Sequence, residues 1–455
     1  MNFFIVFLQK TRRALVVFVR WAFSDALEGK MKLFVEALEK NLTAQDIDTH
    51  LEGCIGCGCC GQHCAWYIVD QKAENHPKMK ADALRAVYKR FCTASGIVLG
   101  NLGLIKTTTE EDLARVSELF FSRCTMCGRC STACPQGVSN RRLVYLMRLC
   151  LTAAGFAPQL IYRVQADARD KRHSFGLTYE GSVGKIIAAA EARGINIPVD
   201  RHGAKWLAAC SAIINTKMPE VAAEVFRLLD LGVHYTMSSR IQDTGTESMV
   251  MVCDRELGRR FVRELAEEAK RLGCEGVIIG ECGCDMRSYN VDEADILREY
   301  GLKVAYIDGL ILDLIDQGRI PISKLDLVVA YHDPCWSARL TGYMELSRRL
   351  VKRCVREFVE MTPNRRQNYC CNGGAGSMRF HPATGSDANL RRQVSVLKAR
   401  QIEQTHADMV VTPCATCFMS LKDTASFYGL ATQVSMVADI VLMAMDKAIR
   451  EREQR

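Results

Sequence analysis

The stretch Leu325–Cys335, LDLVVAYHDPC, decides the architecture: an apolar run broken by one aspartate passes through His332, Asp333 and Pro334 and stops on a cysteine. A short run of this kind reads as a strand of a buried parallel sheet. A helical pattern follows in ELSRRLVKRCVREF (345–358). The alternation recurs along the chain: KWLAAC before EVAAEVFRLLDLG, GVIIGEC after a helix near 256–272, and ADMVVTPC after a helix near 389–405. Strands alternating with amphipathic helices predict α/β units around mostly parallel sheet. Each of the four strands runs out into a cysteine, Cys210, Cys282, Cys335 or Cys414, at the carboxyl end where open α/β sheets place their sites. Cys210 and Cys282 stand 72 positions apart and Cys335 and Cys414 stand 79 apart, so two similar modules in tandem are expected.

The chain has 455 residues, which calls for more than one domain. Its 48% hydrophobic and 25% charged residues are those of a folded globular protein. The net charge of +8 comes without a dense basic block interleaved with aromatics, so nucleic acid is not expected as a partner. The outlier is cysteine, with 22 residues, most of them in tight clusters. Secreted disulfide frameworks are short and evenly spaced, whereas clustered cysteines in a long chain read as metal ligands in a reducing compartment. The expected location is cytoplasmic.

The first residues, MNFFIVFLQKTRRALVVFVRWAF, lack the pattern of a signal peptide, and no apolar run is long enough to span a bilayer. Wound as a helix, they gather Lys10, Arg13, Arg20 and Ser24 near one face, with Phe4, Phe7, Leu8, Leu15, Val19 and Trp21 over much of the rest. That suits a helix at a membrane surface or against a membrane subunit, and equally a helix packed on its own domain. The expected organisation is an amphipathic helical segment (1–40), a helical two-cluster domain (41–155), a connector (156–202) and the two α/β modules (203–322 and 323–455). Within the helical domain, TEEDLARVSELFFSRC offers Thr109 as a cap and Glu110 to Asp112 as the first turn. Within the connector, KIIAAAEARG reads as a short helix.

Two cysteine runs share one spacing, C-x2-C-x2-C-x3-C. The first is Cys54, Cys57, Cys60 and Cys64; the second is Cys124, Cys127, Cys130 and Cys134, with Pro135 directly after. This is the bacterial ferredoxin signature, in which the fourth cysteine of each run serves the other cluster. One cubane [4Fe–4S] cluster is therefore expected on Cys54, Cys57, Cys60 and Cys134, and a second on Cys124, Cys127, Cys130 and Cys64. Zinc is the alternative, but it favours separated C-x2-C pairs over continuous four-cysteine runs. The pattern is blemished by Ala65 where a proline would follow Cys64, and by Cys59, which could compete with Cys60.

A wider pattern, C-x34-C-C-x42-C-x2-C, joins Cys335, the adjacent pair Cys370 and Cys371, and the CATC of Cys414 and Cys417. Here the sequence resembles the CCG-domain proteins, whose archetype is the catalytic subunit of heterodisulfide reductase. The resemblance implies that these five cysteines hold a noncubane [4Fe–4S] cluster. Asn372 stands where the name-giving glycine of that family would fall, with Gly373 and Gly374 displaced by one. The first module departs further. After Cys210, Asp243-Thr244-Gly245 occupies the place of the doublet, and Asp285 takes the place of the last cysteine, with Cys282 retained and Cys284 one step early. Cys210 and Cys282 are candidates for a redox-active or substrate-gripping thiol group, or are thiols packed as small hydrophobes.

WLAACSAIINTKMPE, SSRIQDTG, GECG, YHDPCWSAR and YCCNGG look like the DsrK/HdrD-type subunits of membrane-bound sulfur-metabolism complexes. The resemblance runs from about residue 45 to 440. It implies an α+β multidomain chain, in which an all-α ferredoxin-like domain precedes two tandem CCG modules. It also implies electron exchange with a membrane cytochrome b-type subunit, and chemistry at a disulfide of a small molecule or a small sulfur-carrier protein. The protein would then be a heterodisulfide reductase-like oxidoreductase subunit, peripherally bound at the cytoplasmic membrane. Cys335, Cys370 and Cys371 would stand at the reacting centre, and His332 could supply a proton to a leaving thiolate or merely bond backbone. The rival is an electron-transfer subunit like the iron–sulfur partners of glycolate or glycerol-3-phosphate dehydrogenases. No nucleotide fingerprint is present to suggest a bound flavin or NAD.

Overall fold

A computed structural model describes residues 14–19, 27–42, 47–245, 251, 253–280, 282–381 and 388–454. The chain divides into two compact units, Met1–Gln159 and Leu160–Arg455. Of the amphipathic N-terminal stretch, Lys10, Arg13, Arg20, Ser24, Phe4, Phe7, Leu8 and Trp21 lie outside the described residues. Residues 14–19 are helical, with Val16 buried and Leu15, Val17 and Phe18 exposed. Among the described residues no helix is long and apolar enough to cross a membrane.

The first unit is helical. Helix Asn140–Ala153 packs against helices Gly29–Asn41, Pro77–Phe91 and Glu110–Phe121. These helices bury Phe34, Leu38, Leu84, Phe120, Phe121, Leu143, Met147 and Leu151, from apolar positions three and four apart. Thr109 caps Glu110–Phe121 as expected, and Asp112 returns a bond to the Thr109 backbone, completing a reciprocal cap. Buried cations then fix the backbone that leads into each cysteine run. Arg148 donates to the carbonyls of Phe120, Phe121 and Cys124 at 2.8, 3.0 and 2.7 Å. Lys80 donates to Arg123 O at 2.6 Å, and Arg85 donates to Leu51 O and His50 O at 2.9 and 3.1 Å.

The second unit holds two four-stranded parallel sheets. The first comprises β1 (Trp206–Ala208), β2 (Tyr235–Thr236), β3 (Gly276–Ile279) and β4 (Lys303–Tyr306), in the order β2-β1-β3-β4. The second comprises β5 (Leu325–Tyr331), β6 (Val355–Glu360), β7 (Met409–Thr412) and β8 (Gln433–Met436), in the order β6-β5-β7-β8. The identical orders match the tandem modules and mostly parallel sheets read from the sequence. In each sheet the chain moves outward from its first strand and then returns past it to the third. The carboxyl ends of β1 and β3, and of β5 and β7, therefore flank a topological switch point.

Two local expectations differ from the structure. The helix read over ELSRRLVKRCVREF stops at Cys354, and Val355 begins β6 at once. Val355 and Phe358 turn to the core, and VREFVE pairs along β5 through Val329↔Phe358, so pairing outweighs the helical pattern. Between residues 156 and 202 a second helix, Gln159–Lys171, joins Val183–Glu191, burying Ile161, Val164 and Ala168 beneath an otherwise polar sequence.

Candidate metal centres

The two cysteine runs adopt one loop. Gly56 and Gly58 have φ of 76° and 77°, and the matching Met126 and Gly128 have φ of 49° and 77°. Left-handed residues at both places curl the loop tightly enough for successive thiols to converge, and Met126 accepts a conformation that glycine holds without strain. Cys54, Cys57 and Cys60 line one pocket together with Cys134 of the other run, alongside Gly58, Lys78 and Asn140. Around the other centre, Cys130 is pushed far up by burial and by the thiols of Cys64, Cys127 and Cys124. Burial also raises Cys64 to about 11, opposed by Lys80 and reinforced by Cys124 and Cys127. The fourth cysteine of each run thus sits among the first three of the other. Cys59 does not line the pocket; it is exposed and hydrogen-bonds with Cys57.

Backbone amides serve several of these sulfurs. Met126 N donates to Cys124 Sγ at 3.4 Å, and Val138 N donates to Cys134 Sγ at 3.3 Å. Four converging thiols with N–H donors at their sulfurs suit an anionic thiolate-bound cluster, and the donor set fits iron–sulfur chemistry at both centres.

The second α/β module builds another thiol group. β7 delivers Cys414 as the cap residue of helix Ala415–Tyr428, and Cys417 lies in its first turn. The loop from Asn368 to Gly376 brings Cys370 and Cys371 to the same place. Asn372 N donates to Cys370 Sγ at 3.3 Å and Gly373 N donates to Cys371 Sγ at 3.5 Å. Ser420 Oγ ties the loop down through Cys371 O at 2.5 Å. A Cβ on Gly373 would lie 2.8 Å from Ser420 Cβ, so this position accepts only glycine without displacement. Asn372 has φ of 63°, the left-handed region that asparagine enters more readily than other non-glycine residues. Asparagine can therefore take the left-handed conformation for which a glycine was expected.

Hydrogen bonds with the thiols of Cys370 and Cys417 hold Cys371 well below the usual thiol range, while Cys417 is pushed well above it by Cys371 and Cys414. Cys414 falls to about 7, chiefly through Cys417, with help from the Trp336 indole and the Gly283 backbone. Cys335 lies just beyond the neighbouring strand β5; His332, the first residue after that strand, donates its N–H to Val411 O of β7 at 2.9 Å. A ring nitrogen of His332 lies within 4.8 Å of the sulfurs of Cys371 and Cys417. Burial, and then Lys398, hold His332 well below the ordinary histidine range, so its ring is neutral at neutral pH. Asp333 is engaged structurally: its carboxylate pairs with buried Arg348 at 2.6 Å and accepts from Arg365 N at 2.7 Å. His332 Nε2 is buried without a partner among the described residues. An orphaned donor beside clustered thiols again suits a bound group with sulfur acceptors.

In the first module the corresponding places are knitted by oxygen chemistry. Thr244 Oγ1 donates to Asp285 Oδ1 at 2.8 Å, and Asp243 Oδ2 accepts from Ser174 N and Oγ at 2.9 and 2.6 Å. Gly245 has φ of 64°, the conformation of Asn372 in the second module. Cys282 is buried, whereas Cys210 lines a mostly apolar pocket with Phe226, Ile278, Asp308 and Pro413, the residue before Cys414. The two modules therefore meet at this edge. Sequence patterns did not single out Lys398, Asn368, Trp336 or Gly283 near the second thiol group, because each sits in an ordinary helical or loop context.

Residues 50–138 match the 4Fe-4S dicluster domain family, and residues 329–422 match the cysteine-rich CCG domain family. Over 91% of its length the chain is 23% identical to the Hdr-like menaquinol oxidoreductase iron-sulfur subunit 2 of Archaeoglobus fulgidus, covering 83% of that protein. Over 90% of its length it is 25% identical to a dihydromethanophenazine:CoB–CoM heterodisulfide reductase subunit of Methanosarcina acetivorans, covering 97% of it. It is also 22% identical over 87% of its length to the EtfAB:quinone oxidoreductase of Syntrophomonas wolfei, covering 58% of that protein.

Proposed function

We propose that the chain, which matches the 4Fe-4S dicluster and cysteine-rich CCG domain families and is similar to subunits of Hdr-like oxidoreductases, carries electrons between a membrane partner and a disulfide or related sulfur bond. Cys54, Cys57, Cys60 and Cys134 would hold one cubane [4Fe–4S] cluster, and Cys124, Cys127, Cys130 and Cys64 a second. Cys335, Cys370, Cys371, Cys414 and Cys417 would hold a noncubane [4Fe–4S] cluster. When bound, these groups supply electrons one at a time to a cleavage that consumes two electrons and two protons and yields two thiols. The observation that carries the reading is the convergence of Cys370, Cys371, Cys414 and Cys417 at the switch point of the second sheet.

The chain's own groups have distinct parts in this reading. Cys210, beside an apolar pocket that reaches Pro413, would hold the substrate near the reacting centre, and buried Cys282 would belong to the same substrate-gripping thiol group. His332, held neutral, contributes an N–H rather than a charge. Exposed Leu15, Val17 and Phe18 offer apolar surface for docking at the cytoplasmic face of a membrane or on a cytochrome b-type subunit.

The test is a comparison of the purified, cluster-loaded chain with its Cys371→Ser variant, using an artificial electron donor and a disulfide. Wild-type protein is expected to turn over the disulfide, and the variant to keep nearly full iron content yet lose turnover. Equal turnover by both would reject the reading in favour of pure electron relay to a flavin-dependent dehydrogenase.

A further inference from the structure

Lys398, in helix Val396–Glu403, is fully buried, and no carboxylate is among its hydrogen-bond partners in the described residues. Its ammonium donates to Asn368 Oδ1 at 2.8 Å, to Gln401 Oε1, and to Met361 Sδ at 3.7 Å. Gln401 is itself held by Pro363 O, so its carbonyl is aimed at the lysine. Burial lowers the ammonium to about 7, against the opposing pull of Asp333, Cys371, Cys370 and Cys417. A cation buried in this way is stable only where a nearby anion offsets its lost hydration. The negative groups that face it are Asp333, already engaged by Arg348, and the thiol cluster.

The ammonium also settles the state of His332. The Asp333 carbonyl can only accept, so Asn368 turns its NH2 group toward it and its Oδ1 toward the lysine at the other end of the amide. That NH2 group donates to Asp333 O at 3.0 Å and lies 3.4 Å from His332 Nδ1. Nδ1 is therefore an acceptor, and the single proton of the neutral ring sits on Nε2. A ring nitrogen lone pair spent on Asn368 and a proton on the other nitrogen leave no lone pair for a metal.

We propose that Lys398 is a positioning residue which, through Asn368, locks His332 in its Nε2–H tautomer. The ring then serves the CCG cysteines as a fixed hydrogen-bond donor to sulfur, and not as an iron ligand. This inference rests on the reading of those cysteines as cluster ligands. A donor aimed at sulfur and a nearby buried cation both favour the more negative, reduced state, so together they raise the reduction potential of what these cysteines hold.

The test is a redox titration of the full-length, cluster-loaded chain, followed by electron paramagnetic resonance at the CCG signal. Lys398→Met and His332→Leu are expected to shift that midpoint to lower potential, with the two dicluster midpoints unchanged. His332→Gln, which can still present an N–H, is expected to recover part of the shift. Asn368→Asp keeps an acceptor for Lys398 but presents a second one to Nδ1, which moves the ring proton there and frees the Nε2 lone pair. In protein labelled with nitrogen-15 histidine, that variant is expected to gain a nitrogen hyperfine coupling that wild type lacks. A strong coupling in wild type, or midpoints unchanged in Lys398→Met, His332→Leu and Asn368→Asp alike, overturns the inference. A wild-type chain with no CCG signal overturns the parent reading instead, and the inference with it.

Discussion

Thr244 and Asp285 are joined by a 2.8 Å hydrogen bond at the places in the first module that Cys371 and Cys417 occupy in the second. In the second module those two thiols contact each other and, in the function proposed above, belong to the cluster-binding group. At the corresponding places the first module thus has an oxygen pair where the second has a thiol pair. Both residues are buried. Losing one partner of a buried hydrogen bond to a charged group costs about 1–3 kcal/mol. Asp285→Ala is expected to lower stability by that amount in urea unfolding and to leave the iron content unchanged. A drop in iron content would mean that the first module holds metal after all.

Cys127→Ser removes one thiol from the group that surrounds Cys64 and Cys130. The variant is expected to lose about half of the dicluster signal and most electron delivery, while the CCG signal of the oxidised protein stays intact. Joint loss of both signals would show that the first unit and the second do not load independently.

Gly283 lies where the first module meets the second thiol group. A Cβ there would come within 2.4 Å of Trp336 Cδ1, and Gly283's backbone helps to lower Cys414. Trp336 is fully buried and has little room to retreat. Gly283→Ala is expected to destabilise the protein by about 1–3 kcal/mol, and to broaden the CCG signal by displacing the indole from Cys414. Thermal unfolding and the paramagnetic line shape together measure the two effects.

Glu293 supplies a pH test. Burial raises its carboxyl from 4.5 to about 7, against the hydrogen bond from Ser288 Oγ at 2.6 Å. The folded protein therefore holds this proton more tightly than the unfolded chain. The stability it contributes is complete below about pH 4.5 and is lost as pH rises through about 7. Glu293→Gln keeps an acceptor for Ser288 without the buried charge. Its stability relative to wild type should rise between those two pH values and level off above pH 7, by about 3 kcal/mol. A difference independent of pH would place the ionised carboxylate in water.

The cysteine runs and the strand-end cysteines were legible because their spacing is a local property. Gly56 with Gly58, and Met126 with Gly128, set the loop curvature within a few residues, so C-x2-C-x2-C-x3-C carries its own geometry. The doublet was legible as a pattern, but the tolerance of Asn372 was not, since it depends on a φ of 63° that only the folded loop reveals. VREFVE misled as a helical continuation because period and composition give way to pairing with β5. Lys398 was invisible in VLKARQIE, where a lysine between apolar positions reads as a solvated face.

The helical region with two cysteine runs, the α/β alternation behind it, and the tandem repeat whose second copy keeps five cysteines are all written in the linear order of residues. These follow from short-range periodicity and spacing, which one segment of chain can express alone. The contact of Thr244 with Asp285, and those of Asn368 with Lys398 and His332, come into being only on folding. Both arrangements join residues distant in sequence across a buried interface. There the cost of an unpaired charge or donor selects the partner, and no local pattern records that cost.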